Sequence, residues 1–350
     1  MSTPQGRLKK IILYIFILLL PIAAAVVIFD PFFQYHPPLP GLKAVLTDRE
    51  NQCLGSLRTL NYDAVLLGSS VLENFNNRWF DSAFSVRTIK AIRGSGSTTD
   101  LLYMLNVALK KQDLKYVFYG LDTSALIADT RLTLYDEGMP VHLYTGHPFD
   151  DLPYLFNKEV LLEKIPYMIF LSLSSDFDEG ESYNWMKGKN FGAEFAIRHY
   201  HRLPEIKPMY DADYFNENWL VNIQAIKDVV ATNPDTEFIF FFPPYSLFWW
   251  DNAYRFGMME VYLNVAEQSV SALLEFDNVK IFYFQNDRDI ILDADNYMDV
   301  VHYSDRINYM MFEAMVSGDS LLTRENYVDI LLDMRNLAWD IAEKYIYVYF

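Results

Sequence analysis

Apolar positions along this chain fall into two kinds of run. One is long and single: residues 11–29 hold no charge, with Arg7, Lys9 and Lys10 before them and Asp30 after them. At about 1.5 Å per residue, such a helix just crosses a hydrocarbon layer of roughly 30 Å. The others are short and recurrent. Residues 64–68, 86–92, 116–121, 237–242 and 279–284 read as strands, of which 64–68 and 116–121 have the composition of strands buried on both faces. Between and after them the apolar spacing changes to that of helices, over 99–111, 216–232, 253–275, near 306–315 and near 324–344. Buried strands alternating with amphipathic helices predict an α/β domain built on a parallel sheet.

The remaining stretches set the expected domain organisation. Basic residues on the amino side of the apolar run keep that end in the cytoplasm and place the chain beyond Asp30 outside. The expected layout is a cytoplasmic tail over 1–10, a single transmembrane anchor over 11–29 and an extracytoplasmic linker over 30–59. A cleaved signal peptide is the competing reading, since Ala23, Ala24 and Ala25 offer small residues near a cut, but the run continues past the usual length of a signal core. Four prolines and several aromatics in 30–41 predict a stiff extended lead-out, with Phe32, Phe33 and Tyr35 suited to the headgroup zone. The α/β domain is expected over 60–350. Its rhythm breaks over about 124–214, which reads as an insertion carried on the sheet.

Composition narrows the function. A formal charge of −17 argues against nucleic acid as a partner, because nothing here neutralises phosphates. Cys53 is the only cysteine, so no internal disulfide and no cysteine metal cluster is open to the chain. His199 and His201 could share a face as metal ligands, but no third ligand of known geometry lies near them in sequence. No metal and no cofactor is expected.

Candidate chemistry sits at the ends of the apolar runs. The first run stops at Gly68 and is followed by two hydroxyls, Ser69 and Ser70, where ligands of open parallel sheets collect. Either serine could instead cap the turn that begins near Val71. A Gly/Ser-rich turn over 93–98 leads into a helix and could receive an anion. After the last strand, Asp299 precedes His302 by three residues, so the carboxylate can approach one ring nitrogen while the other faces the first strand. The alternative is that Asp299 caps the following helix and His302 is an ordinary surface residue. A hydroxyl, an imidazole and an orienting carboxylate are the three parts that acyl transfer by serine requires.

Together Gly68-Ser69-Ser70 and Asp299-x-x-His302 resemble the SGNH, or GDSL-type, hydrolases, whose serine follows strand one and whose Asp-x-x-His lies near the carboxyl end. The resemblance covers about residues 60–125 and 235–317. It implies a flavodoxin-like three-layer α/β fold, with Ser70 as nucleophile, His302 as base and Asp299 as orienting acid. Gly96 matches the glycine whose backbone N–H serves the oxyanion. The third block departs from the family pattern: Gly120-Leu121-Asp122-Thr123 puts Asp122 where the family has a donating asparagine. An ionised Asp122 cannot donate, which puts its oxyanion role in doubt; the backbone N–H groups of Ser70 and Gly96 would remain. The layout is similar to the membrane-anchored branch that modifies envelope polymers, such as the D-alanyl transfer protein of lipoteichoic acid modification and the polysaccharide O-acetyltransferases with SGNH domains. That similarity implies a cell-envelope glycan or teichoic polymer as substrate and an integral-membrane acyltransferase as partner.

Residues 243–250 follow the fourth strand, on the carboxyl edge that carries Ser70 if the sheet is parallel. Tyr245, Trp249 and Trp250 there could stack on a sugar ring or pack beneath the insertion. Glu73 and Asn74 could line the site or start a helix. The expected activity is that of an extracytoplasmic serine esterase or O-acyltransferase; the alternative is an inactive scaffold or binding protein that kept the fold.

Overall fold

A computed structural model describes residues 4–131, 140–147 and 149–350. In chain order its main elements are α1 (Pro4–Phe29), α2 (Arg49–Thr59), β1 (Ala64–Gly68), a 3-10 turn (Ser70–Leu72), α3 (Asn77–Phe84), β2 (Thr88–Ile92), α4 (Thr98–Lys111), β3 (Tyr116–Gly120) and α5 (Thr123–Leu126). Then come α6 (Leu152–Leu155), a π-turn (Val160–Lys164), α7 (Ile165–Leu173), α8 (Ala193–His199), α9 (Asn216–Thr232), β4 (Glu237–Phe242), α10 (Leu247–Arg255) and α11 (Met259–Leu273). The chain ends with β5 (Val279–Tyr283), α12 (Arg288–Ile291), α13 (Asp305–Ser317), β6 (Leu321–Leu322) and α14 (Tyr327–Glu343). These elements divide into two compact units, Met1–Leu60 with Leu134–Ser182 and Asn61–Thr133 with Tyr183–Phe350.

The second unit is built on a six-stranded sheet in the order β2-β1-β3-β4-β5-β6, parallel except for β6. β1 lies between β2 and β3, so the chain leaves it in one direction and returns on the other side, which opens a crevice at its carboxyl end. Every residue of β1 and β2 is buried, as apolar runs covered on both faces require. Phe80 of α3 sits edge-on to Phe75, Phe118 and Phe312 with ring centroids 4.6 to 5.5 Å apart, fixing α3 and α13 on one face.

Two boundaries differ from the sequence expectation for local reasons. β2 begins at Thr88 and not at Val86: Ser85 ends α3 in the left-handed region, Val86 N–H returns to Asp81 O, and Arg87 N–H goes to the Asp63 carboxylate while its carbonyl accepts from Ala64 N–H. The helix expected over 253–275 is two helices, broken at Gly257 (φ +75°), where a Cβ would come within 2.2 Å of Pro208 O.

In the first unit, α1 contains a 23-residue stretch, Arg7–Phe29, whose most apolar 18-residue window has a mean hydropathy of 3.1, long and apolar enough to cross a membrane. Residues 30–59, expected as a linker, are folded. Phe32 and Phe33 are buried while Tyr35 is exposed, and α2 occupies part of the segment. The chain after α1 lies directly on α2: a Cβ at Gly55 would meet Phe32 O at 2.3 Å, so only glycine admits this approach. Gln52, buried on α2, donates to Pro31 O and Val45 O at 2.8 Å and accepts from the N–H groups of Thr47 and Asp48. Asp30 is buried at the end of α1 and accepts from the N–H groups of Gln34, Tyr35 and His36 and from the Tyr154 hydroxyl of α6 at 2.8 Å. Burial still pushes its carboxyl above the ordinary range.

Candidate active site

The site forms at the carboxyl end of β1. Gly68 closes that strand because Leu72 folds back over it; a Cβ there would come within 2.8 Å of Leu72 Cδ2. Leu72 equally crowds Gly120 at the end of β3, where a Cβ would come within 2.6 Å of it. Two glycines thus make a slot for one leucine, and the leucine holds the 3-10 turn that begins with Ser70. Further along, Tyr303 O–H and Asn308 Nδ2 both donate to Val71 O, tying this turn to the segment that carries His302.

That second segment is a closed loop. Tyr297 and Tyr303 form an antiparallel bridge, and Met298 N–H donates to His302 O at 3.0 Å. Tyr297 O–H donates to Pro244 O at 3.0 Å, and Ser246 Oγ donates to Val300 O at 2.6 Å. The stretch after β4 therefore clamps the histidine loop.

Across these two segments Ser70 Oγ lies 2.8 Å from His302 Nε2, and His302 Nδ1 lies 2.7 Å from Asp299 Oδ2. Asp299 Oδ1 also accepts the N–H groups of Val301 and His302 at 2.8 Å. Burial acts to raise the Asp299 carboxyl, but the hydrogen bonds from His302 and Val301 and the adjacent ring outweigh it and hold the group below the usual carboxylate range. An ionised carboxylate only accepts, so Nδ1 carries the proton and Nε2 is left to accept from Ser70 O–H. All three side chains remain partly accessible.

The other expected site residues fall differently. Asp122 is buried and accepts from the hydroxyls of Tyr245 and Ser69. Burial raises its carboxyl to about 6, against the opposing effect of the Ser69 hydrogen bond and the His302 ring. Above that pH it has no proton to donate. Gly96 N–H is already donated to Arg93 O at 3.0 Å, closing a turn in which Ser95 is left-handed, so this expected oxyanion donor is engaged. The same turn does not offer a free helix terminus to an anion, because Ser97 and Asp100 form a capping box on α4. At the start of the 3-10 turn, the N–H groups of Ser70 and Val71 have no acceptor within the turn.

Tyr245 and Trp250 are buried, and the Trp249 ring meets Trp250 edge-on and Tyr245 and Tyr262 at a tilt, so this aromatic group is packing and not an open sugar platform. Glu73 is buried beneath the serine turn, and its carbonyl accepts from the buried Lys90 Nζ at 2.6 Å. Asn74 is buried and accepts Trp185 N–H at 3.3 Å. His199 Nδ1 is engaged with Phe195 O of its own helix, and no metal-binding group of His, Cys, Asp or Glu occurs among the described residues.

Trp185 is the site residue that sequence reasoning missed. Its indole N–H donates to Ser70 O at 3.1 Å, and its ring meets the His302 ring edge-on at 5.1 Å. It arrives from the carboxyl-terminal part of the expected insertion, where no spacing or motif marks it. Compared with family models, curated proteins and solved structures, the chain matches none of them.

Proposed function

We propose that this protein is an SGNH-type serine esterase or O-acyltransferase, membrane-anchored with its catalytic domain outside the cytoplasm. In this reading it acts on a cell-envelope polysaccharide or teichoic-acid-like polymer. The observation that carries the proposal is the unbroken chain of hydrogen bonds from Ser70 through His302 to Asp299, made by residues 232 positions apart. Two features support it. The strand order through β5 is that of flavodoxin-like sheets, and Ser70 stands at the reversal of strand order where such sheets bind ligands. The basic residues before the apolar run of α1 favour the orientation with the sheet unit outside.

In this reading Ser70 Oγ attacks the acyl carbonyl while its proton passes to His302 Nε2. Asp299 holds the imidazole in the required tautomer and stabilises the imidazolium. The tetrahedral oxyanion is met by the N–H groups of Ser70 and Val71. His302 then returns the proton to the leaving alcohol, and water or a sugar hydroxyl repeats the sequence to release the acyl group. Trp185 covers one side of the imidazole and fixes the carbonyl of the nucleophile's own residue.

A second reading, an inactive scaffold for an envelope-modifying complex, is favoured by one observation: Asp122 holds an acceptor where the family places a donor. Intact mass of the purified full chain in detergent after exposure to p-nitrophenyl acetate separates the two. An acetyl adduct on Ser70 in wild type, absent in Ser70→Ala, is the result expected of the enzyme. A folded wild type with no adduct and no ester turnover overturns it.

A further inference from the structure

Within residues 149–173, α7 (Ile165–Leu173) is apolar on both its inner and outer sides. Val160, Ile165 and Met168 are buried, as a helix packed on a protein core should be. Large apolar side chains also stand on the opposite side: Leu162 is 68%, Phe170 71% and Leu173 70% exposed, with the exposed Lys158, Glu159 and Glu163 confined to the stretch before α7. Phe149, Leu152 and Phe156, just before it, are exposed as well. A helix hydrophobic all round needs an apolar medium on its outer side as much as on its inner one. From Ile165 to Ser175 the sequence holds no charge, and Lys164, at the edge of this stretch, pairs with Asp48 at 2.9 Å.

The position of the segment names that medium. α6 and the π-turn pack on α1. The Tyr154 hydroxyl of α6 donates to Asp30 at the carboxyl end of α1 and accepts Phe32 N–H at 3.2 Å, while the rings of Phe32 and Tyr154 stack 5.0 Å apart. Exposed Leu152 of α6 and Leu162 of the π-turn are therefore held beside the one helix, among the described residues, able to cross a membrane, and α7 with Phe170 and Leu173 follows directly on them. On the reading that α1 spans, its carboxyl end lies at the boundary of hydrocarbon and headgroups, where amphipathic elements bury their apolar faces.

We propose that residues 149–173 seat in the leaflet that receives the carboxyl end of α1, so that this unit holds the bilayer by a span and by an interfacial collar. The collar fixes the height and tilt of the unit at the membrane, which a single helix alone leaves free.

The test uses the wild-type full chain in phosphatidylcholine vesicles containing a phospholipid with a diazirine in its acyl chain. After photolysis, the adducts are mapped by peptide mass. Adducts are expected in α1 and in 149–173. In the Leu162→Glu, Phe170→Glu variant those in 149–173 are lost while those in α1 persist. Labelled α1 with an unlabelled wild-type 149–173 overturns the proposal. Reactivity of that segment to hydroxyl radicals would then show a water-exposed face awaiting a protein partner; protection from both reagents would show a second copy covering it. An unlabelled α1 would instead defeat the reading that the chain spans.

Discussion

Replacing Asp122 by asparagine tests the electrostatics of the site on a quantity that does not depend on knowing the substrate. The carboxyl has an ordinary value of 3.8, and burial raises it to about 6 in the fold. The folded chain thus keeps this proton to higher pH than the unfolded chain does. Its contribution to stability falls as pH climbs through roughly 4 to 6 and is level above that. With those two values, the raised carboxyl lowers folding stability by roughly 1–2 kcal/mol at pH 5 and by about 3 kcal/mol at pH 8. Asparagine has nearly the shape of the neutral acid: its oxygen still accepts from Tyr245, and its amide can donate to Ser69. The variant is therefore expected to be more stable than wild type, by a margin that grows by roughly 1–2 kcal/mol between pH 5 and pH 8. Urea unfolding of the detergent-solubilised full chain at several pH values measures this. A pH-independent margin, or a wild type that is the more stable at pH 8, would refute the claim that a buried ionised carboxylate sits at the end of β3.

Three further outcomes are expected. Asp299→Asn can present its amide to His302 Nδ1 and hold the wrong tautomer, so ester turnover should fall by ~10³ to 10⁴ while the fold persists; a loss under tenfold in steady-state assays would speak against the orienting role. Trp185→Phe keeps a ring against His302 but loses the hydrogen bond to Ser70 O, worth ~1 kcal/mol, so kcat should drop roughly fivefold with KM little changed; an unchanged kcat would contradict it. Tyr154→Phe removes both the donor to Asp30 and the acceptor for Phe32 N–H, and thermal unfolding should show a loss of ~2–3 kcal/mol from the first unit; a loss too small to measure would mean that these buried groups find other partners.

The sheet was legible because its strands announce themselves. Ala64–Gly68 and Glu237–Phe242 are buried nearly throughout, so their apolar runs are uninterrupted and their ends abrupt. The pairing of Ser70 with His302 followed from the same logic, since both lie beyond strand ends. Less could be read where burial does not follow hydrophobicity. α2 buries Gln52, Gly55 and Ser56 for hydrogen bonding and close approach alongside Cys53, Leu54 and Leu57, so its inner face is only partly apolar. β6 has two residues, too short for any period. Gly96 and Tyr245 were placed by type and position, but the turn that occupies the Gly96 N–H and the carboxylate that occupies the Tyr245 hydroxyl are tertiary facts. Trp185 carries no local signal: its role exists only once the chain returns to the sheet unit after residue 182.

The most direct measurement is covalent labelling of the full-length protein by a fluorophosphonate, which reacts only with a serine hydroxyl whose proton a neighbouring base accepts. The wild type should label at Ser70, while Ser70→Ala and His302→Ala should not. A well-folded wild type that stays unlabelled, or label that persists in Ser70→Ala, would contradict the assignment of Ser70 as a nucleophile activated by His302.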